Sequence, residues 1–238
     1  DTREYAFWTD QSGNNNDFQH TNLEHTDVVP DRPTNNFCTV NQLSDVSNIV
    51  LAEGNLNLTN TADSWPTVRG TMGVSSGKWY YEVAHSDATR WGAGWATKEF
   101  QSGTTFSTNI ADSILAYSTD PLQVYDFGTL RSINGTPAFT TSDILQVAID
   151  VDAGKFWLGI NNTWVNDSGG TAGDPAGGSN ELETFTAGTE VFPSFINNRG
   201  NLTVNFGQDS TFAGVTAAGG NTDQNGNGDF KYSVPSGF

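Results

Sequence analysis

From about Asn48 onward, apolar and polar residues alternate over short runs separated by Gly, Asn and Asp. Successive side chains of a strand point to opposite faces, so alternation at period two marks strands. Ile49-Val50-Leu51 and Leu56-Asn57-Leu58 flank Glu53-Gly54-Asn55 and read as a hairpin. Lys78 to Ala84 places Trp79, Tyr81 and Val83 on one face and Tyr80 and Glu82 on the other. Trp91 to Ala96 carries Gly92 and Gly94, which let another backbone or ring come close. Ser113 to Ser118 is a further strand. The clearest pair is Ile144 to Val151 and Lys155 to Ile160, joined by Asp152-Ala153-Gly154. Val191 to Ile196 and Leu202 to Phe206 complete the set. No segment repeats apolar residues at the helical period, and no fixed-period repeat points to a propeller or solenoid. Many short strands with regular turn signals predict an all-β sandwich or barrel.

The pattern divides the chain in two. Residues 1–48 are irregular, with the polar run Asp10 to Asp17 and prolines at 30 and 33. Phe37, Val40 and Leu43 in this stretch are expected to dock on a neighbouring surface. Residues 49–238 hold the strands. Within them, 166–178 and 207–230 are Gly-rich polar segments with no assigned element.

Composition narrows the function classes. The net charge is −17, from 27 acidic and 10 basic residues, which disfavours nucleic acid and anionic membranes as partners. No apolar run reaches the roughly 20 residues that span a bilayer, so no membrane insertion is expected. The single cysteine, Cys38, excludes an intrachain disulfide and reads as a buried apolar residue.

Four blocks then fall in a recognisable order. Gly77-Lys78-Trp79-Tyr80-Tyr81-Glu82-Val83 resembles the early strand of SPRY domains, and Trp91-Gly92-Ala93-Gly94-Trp95 their next strand. Asp143 to Leu158 is similar to the family's hairpin, in which an Asp near a turn Gly precedes an aromatic. Val191-Phe192-Pro193-Ser194-Phe195 resembles its late Phe-Pro-x-Phe strand. The resemblance spans roughly residues 49 to 210. It implies an antiparallel, concanavalin-like jelly-roll sandwich. Lys78 stands where many eukaryotic members carry His, and the loop from 166 to 190 is long, so their binding residues do not transfer.

The flanks have a narrower resemblance. Ser12 to Phe18, Pro33 to Thr39 and the tail Gly226 to Phe238 are similar to segments of SPRY-containing structural proteins of bacteriophages. In such proteins the segment before Ser12 ends a laminin-G-like module, which implies that residues 1–48 hold the end of one.

A search for chemistry finds little. Gly73-Val74-Ser75-Ser76-Gly77 matches the nucleophile-elbow pattern, but that motif needs a following helix and here a strand follows. His20, His25 and His85 show no zinc-ligand spacing. Asp150 and Asp152 share a strand face but sit at a hairpin, where Asp serves turns. Asp223, Asn225, Asn227 and Asp229 imitate the first half of a calcium loop, yet Val234 occupies the place of the bidentate Glu. A solvated Asn-Gly turn is the expectation there, with Ca²⁺ as the alternative; no other cofactor is implied. The seven tryptophans are divided. Trp79, Trp95 and Trp157 lie in strands and are expected in the core. Trp91, Tyr125 and Trp164 lie beside strands or in loops and are the candidate contacts for a ligand or partner.

The resulting expectation is a non-enzymatic virion structural or adhesion protein: tail fibre, capsid decoration or capsid fibre. Its partners would be other virion subunits, copies of itself in a homo-oligomer, and a host-surface glycan or protein. Its place would be the virion surface or tail, after assembly in the host cytoplasm. The alternatives are an intracellular adaptor that grips a short peptide and a carbohydrate-active enzyme on a jelly-roll scaffold.

Overall fold

The computed structural model describes residues 10, 12–14, 16, 17, 21, 36–43, 48–86, 90–100, 110–117, 122–133, 139–165 and 172–238. In chain order the strands are β1 (Ile49–Ala52), β2 (Asn57–Asn60), β3 (Thr67–Arg69), β4 (Lys78–Ser86), β5 (Arg90–Thr97), β6 (Ser113–Tyr117) and β7 (Gln123–Asp126). There follow β8 (Thr129–Ser132), β9 (Ile144–Asp150), β10 (Lys155–Ile160), β11 (Thr163–Trp164), β12 (Glu183–Thr184), β13 (Val191–Asn198) and β14 (Gly200–Asn205). They form two antiparallel sheets. One has eight strands in the order β1-β2-β14-β4-β9-β10-β11, with β12 also pairing β10; the other has six, β3-β13-β5-β6-β7-β8. Among the described residues the only helical element is a 3-10 turn at Ile110–Asp112, and no helix is long and apolar enough to cross a membrane. The expected all-β jelly-roll sandwich is the architecture observed.

Local chemistry explains two of the sharpest turns. Asp150 accepts the Ala153 N–H at 2.9 Å, and Gly154 at φ +64° closes the β9–β10 turn. The β13–β14 turn runs through Arg199 and Gly200, both at positive φ, and carries the chain from the six-stranded sheet to the eight-stranded one. Its polar tip reads as a loop in the sequence. It stays ordered because the buried Asn197 amide donates to the carbonyls of Leu58 and Gly200, each at 3.0 Å.

The main core lies between the sheets, where Tyr81, Val83, Trp95, Leu145, Val147, Phe156 and Phe195 meet. A second apolar layer covers the outer face of the eight-stranded sheet. There Tyr80, Ala148 and Trp157 pack against Phe230 and Phe238 of the C-terminal segment. Phe212 and Tyr232 cover Ala84 and Ile144 in the same way. Residues 207–238 therefore form a strap across the sheet, not the unstructured polar segment their composition suggests.

Val40 is fully buried in the core, bridges Gly70 and donates its N–H to Asn55 O at 2.9 Å. The stretch around Val40 thus packs on the sandwich, because one apolar residue between bridging amides suffices to anchor an irregular segment. Phe37 docks as expected, but Leu43 is 93% exposed. Strands β3, β7, β8, β11 and β12 are two to four residues long and too short to show a period. His20, His25 and most of the expected laminin-G-like segment lie outside the described residues.

His85 near the end of β4 carries a pH prediction. Its Nε2 donates to Thr140 O at 2.9 Å, its Nδ1 is buried without a partner, and the Trp91 and Phe139 rings lie 4.9 and 5.0 Å away. Burial holds its pKa below the ordinary value, against the opposing pull of the Thr140 carbonyl and Asp143. The unfolded chain then takes up the proton first, so this residue's contribution to stability is complete at neutral pH and falls away as the pH drops below about 6.5. Urea midpoints measured from pH 7.5 to 5.5 should fall less steeply for His85→Phe than for the parent; equal slopes would refute the assignment.

Candidate functional site

The sequence-predicted contact residues do not converge. Trp91 lies inside β5, only 1% exposed, between His85 and Phe139, so the expectation that it sits before a strand and faces a ligand is corrected. β5 starts one residue earlier than its alternation suggests and carries the indole into the core. Tyr125 belongs to β7 and is half-buried on the outer face of the six-stranded sheet, edge-on to Tyr117 at 5.5 Å. Trp164 ends β11, half-buried beside Tyr80 on the outer face of the other sheet, with ring centroids 6.5 Å apart.

The calcium-like segment is a turn whose carboxylates are engaged by backbone. Asp223 Oδ1 accepts the amides of Asn225 and Asn227, each at 2.8 Å. Asp229 points elsewhere, accepting from Gly220 N at 3.1 Å and Ser210 N at 3.4 Å. Asn221 and Phe230 bridge across the base of the turn. No group of three or more His, Cys, Asp or Glu side chains suited to a metal occurs among the described residues. Asp150 and Asp152 serve the hairpin as expected: Asp152 accepts the Gly77 amide at 3.0 Å, and Asp150 lies 3.7 Å from Lys78. Ser75 of the Gly-x-Ser-x-Gly motif is exposed, and the chain runs on from it into β4, a strand.

A cleft of about 640 Å³ opens instead at the end of the sandwich where β4 and β13 begin and β5 and β14 finish. Its volume lies within the range of ligand sites. Three separate parts of the chain build it. Residues 72–76, bridged to β13 through Val74 and Val191, form one side. Phe37 and Cys38 form a second, fixed where Gln208 donates to Cys38 O at 2.6 Å. The strap contributes Asp223, Asn227, Phe230, Val234 and Phe238.

Gly207 lets these parts meet. It sits at φ +115°, and a Cβ there would lie 2.8 Å from the Phe37 ring and 3.0 Å from Phe230. Tyr81, Trp95 and Phe206 lie deeper; Tyr81 is edge-on to Trp95 at 5.6 Å, and its hydroxyl donates to Gly94 O at 2.6 Å.

Trp79 was expected in the core but is 45% exposed, and Met72 beside it is 38% exposed. Trp79 is the second residue of its strand, at the sandwich end. Its indole N–H donates to Ser76 O at 2.8 Å, which fixes the ring. Among the described residues Asp223 is the one charged side chain that lines the cleft. The signal that would have placed Trp79 there is its position just after the turn at Gly77, at φ +83°; the strap residues give none, because they are single aromatics among Gly and Asn.

No family model matches the chain, and no curated protein does. Solved structures share its architecture. The stonustoxin structure aligns with a TM-score of 0.51 at 22% identity over 71% of this chain, which spans only 27% of the stonustoxin chain. The PSpry domain of TRIM65 aligns with a TM-score of 0.52 at 15% identity, over 71% of this chain and 92% of that domain. Together with the two-sheet topology, these alignments show that the chain has the fold of SPRY-type β-sandwich domains.

Proposed function

We propose that this chain is a non-enzymatic binding module that engages a protein partner at the open end of its sandwich. The observation that carries the reading is the aromatic-walled cleft between residues 72–76, Phe37 and the C-terminal strap. Apolar clefts with few polar groups are how rigid scaffolds take ligands. Acid–base or nucleophilic catalysis needs a reactive group held against a base or orienting partner. The Ser75 motif lacks its context, and Asp150 and Asp152 are engaged in the hairpin.

The module is part of a virion in this reading: a tail fibre, capsid decoration or capsid fibre that packs on other virion subunits as a homo-oligomer. Its support is the similarity of Ser12 to Phe18, Pro33 to Thr39 and Gly226 to Phe238 to phage structural proteins. A host-surface glycan or protein is the external partner. Quantitative mass spectrometry and antibody labelling of purified particles test this. The expected result is a fixed copy number on the particle surface or tail. Recovery only as a free monomer in the host cytoplasm, absent from particles, would overturn the virion role.

A further inference from the structure

The strap turn beside the cleft holds two Asn-Gly pairs, Asn225-Gly226 and Asn227-Gly228. In such a pair the glycine N can attack the asparagine Cγ, because no Cβ obstructs closure of the five-membered ring. The attacking N–H must first lose its proton to solvent base. An N–H that donates to a carbonyl is protected from this, as it is from hydrogen exchange. The two pairs differ in that respect. Gly226 donates its N–H to Asp223 O at 3.1 Å. Gly228 N–H has no acceptor among the described residues, and the Asn227 side chain is exposed and has no hydrogen-bond partner there.

The fold keeps this reactive pair in place. Gly228 sits at φ +85°, and a Cβ there would lie 2.7 Å from the ring of Phe230, which lines the cleft. No other residue fits, so the packing behind the cleft wall requires the glycine that leaves Asn227 open to attack. Asn227 also lines the cleft and ties the turn together. Its N–H donates to Asp223 Oδ1 and its main-chain oxygen accepts the Asp223 N–H, each at 2.8 Å.

We propose that Asn227 is a site of spontaneous deamidation, and that its conversion loosens the strap turn at the cleft. Gly228 N bonds to Asn227 Cγ, and the Cγ–Nδ2 bond breaks. The proton that Gly228 gives up balances the one that the departing ammonia gains. Water then adds to either carbonyl of the cyclic imide. Cleavage of the new Cγ–N bond gives aspartate. Cleavage of the original peptide C–N bond gives isoaspartate, whose main chain runs through Cβ and Cγ. Both products place a second carboxylate beside Asp223, where like charges repel. Isoaspartate also lengthens the main chain and moves the carbonyl that accepts from Asp223. Water is the only co-reactant, and no enzyme or cofactor takes part.

The test incubates the full-length chain at pH 8 and 37 °C, folded and in concentrated urea. Peptide mapping by mass spectrometry with electron-transfer dissociation follows aspartate and isoaspartate at both sites. Each rate is read against that site's own rate in urea, where the turn is gone. On that scale folded Asn227 should convert at least about tenfold faster than folded Asn225. Equal relative rates, a faster Asn225, or an Asn227 that stays intact while the urea sample converts would each overturn the site. Hydrogen exchange of the converted chain, separated by anion exchange, reads the consequence. Protection should be lost at the amides of Asp223 and Asn227 and kept in β9 and β10. An Asn227→Gln chain aged in the same way closes no such ring at a comparable rate, and should keep protection at Asp223. Parental protection at Asp223 in the converted chain, or equal loss in aged Asn227→Gln, would overturn the loosening.

Discussion

Replacing Gly94 with alanine should prevent this chain from folding to its native state under ordinary conditions. β5 and β6 approach so closely there that a Cβ on Gly94 would collide with Ile114 O and lie 2.9 Å from Leu115 Cα. Both are backbone atoms in the middle of a paired ladder, where Gly94 faces Leu115. A flexible side chain would swing away; a paired strand moves only by breaking its hydrogen bonds. The same residue's carbonyl accepts the buried Tyr81 hydroxyl, so displacing it also unseats a ring at the centre of the core. Ordinary overpacking costs about 1–3 kcal/mol. Here strand separation is added, and a loss above about 4 kcal/mol is expected, among the largest effects of single substitutions. Urea unfolding followed by tryptophan fluorescence reads it. A Gly94→Ala chain with a parental midpoint would show that the two strands have room to part.

The second large effect is expected at Glu82. This carboxylate is fully buried in β4, on the face under the strap. Four donors hold it: the Tyr80 hydroxyl at 2.8 Å, the amides of Lys231 and Tyr232 at 2.8 Å each, and the Asn205 side chain at 3.3 Å. No ion pair with a Lys or Arg accompanies it among the described residues. Burial nevertheless outweighs these donors and holds its pKa above the usual carboxylate value.

Glu82→Ala strands the two strap amides and the tyrosine hydroxyl. At about 1–3 kcal/mol for each buried group left unpaired, the total should reach about 3–5 kcal/mol. Glu82→Gln keeps one acceptor and turns the other towards a donor, so its loss should be smaller but clear. Hydrogen exchange separates this from general weakening. Protection should fall first in the strap, at residues 219–238, because its attachment is lost while the sheets remain paired. Unchanged protection there would refute the clasp.

These two sites differ in how much of them the sequence reveals. The alternation of Trp91 to Ala96 exposes Gly92 and Gly94 as places of close approach, and β6 is what approaches. Glu82 falls on the polar face of β4, where the simplest expectation is solvent. Nothing in its own segment predicts that the face is covered. The cover comes from Phe212, Phe230, Tyr232 and Phe238, which stand more than 120 positions away and are separated by Gly, Asn and Ser. Single anchors in a polar run carry no period, so pattern reading leaves them unassigned.

The tryptophans make the same point. Trp95 and Trp157 are buried as mid-strand aromatics are expected to be, whereas Trp79 and Trp91 exchange places relative to expectation. Both lie within two residues of a strand start, where a shift of one or two positions decides between core and rim. Strand boundaries are set by partner strands, and those come from elsewhere in the chain.

What the sequence by itself determined is the class of the fold, its clearest hairpin and the facing of its long strands. These depend on neighbours one and two positions apart, and alternation records them. The tertiary structure alone decided that the eight-stranded sheet is covered on both faces. It also decided that an aromatic-walled cleft opens at one end. Each of these depends on which distant segment lies over a given face, and packing of distant segments leaves no local period to read.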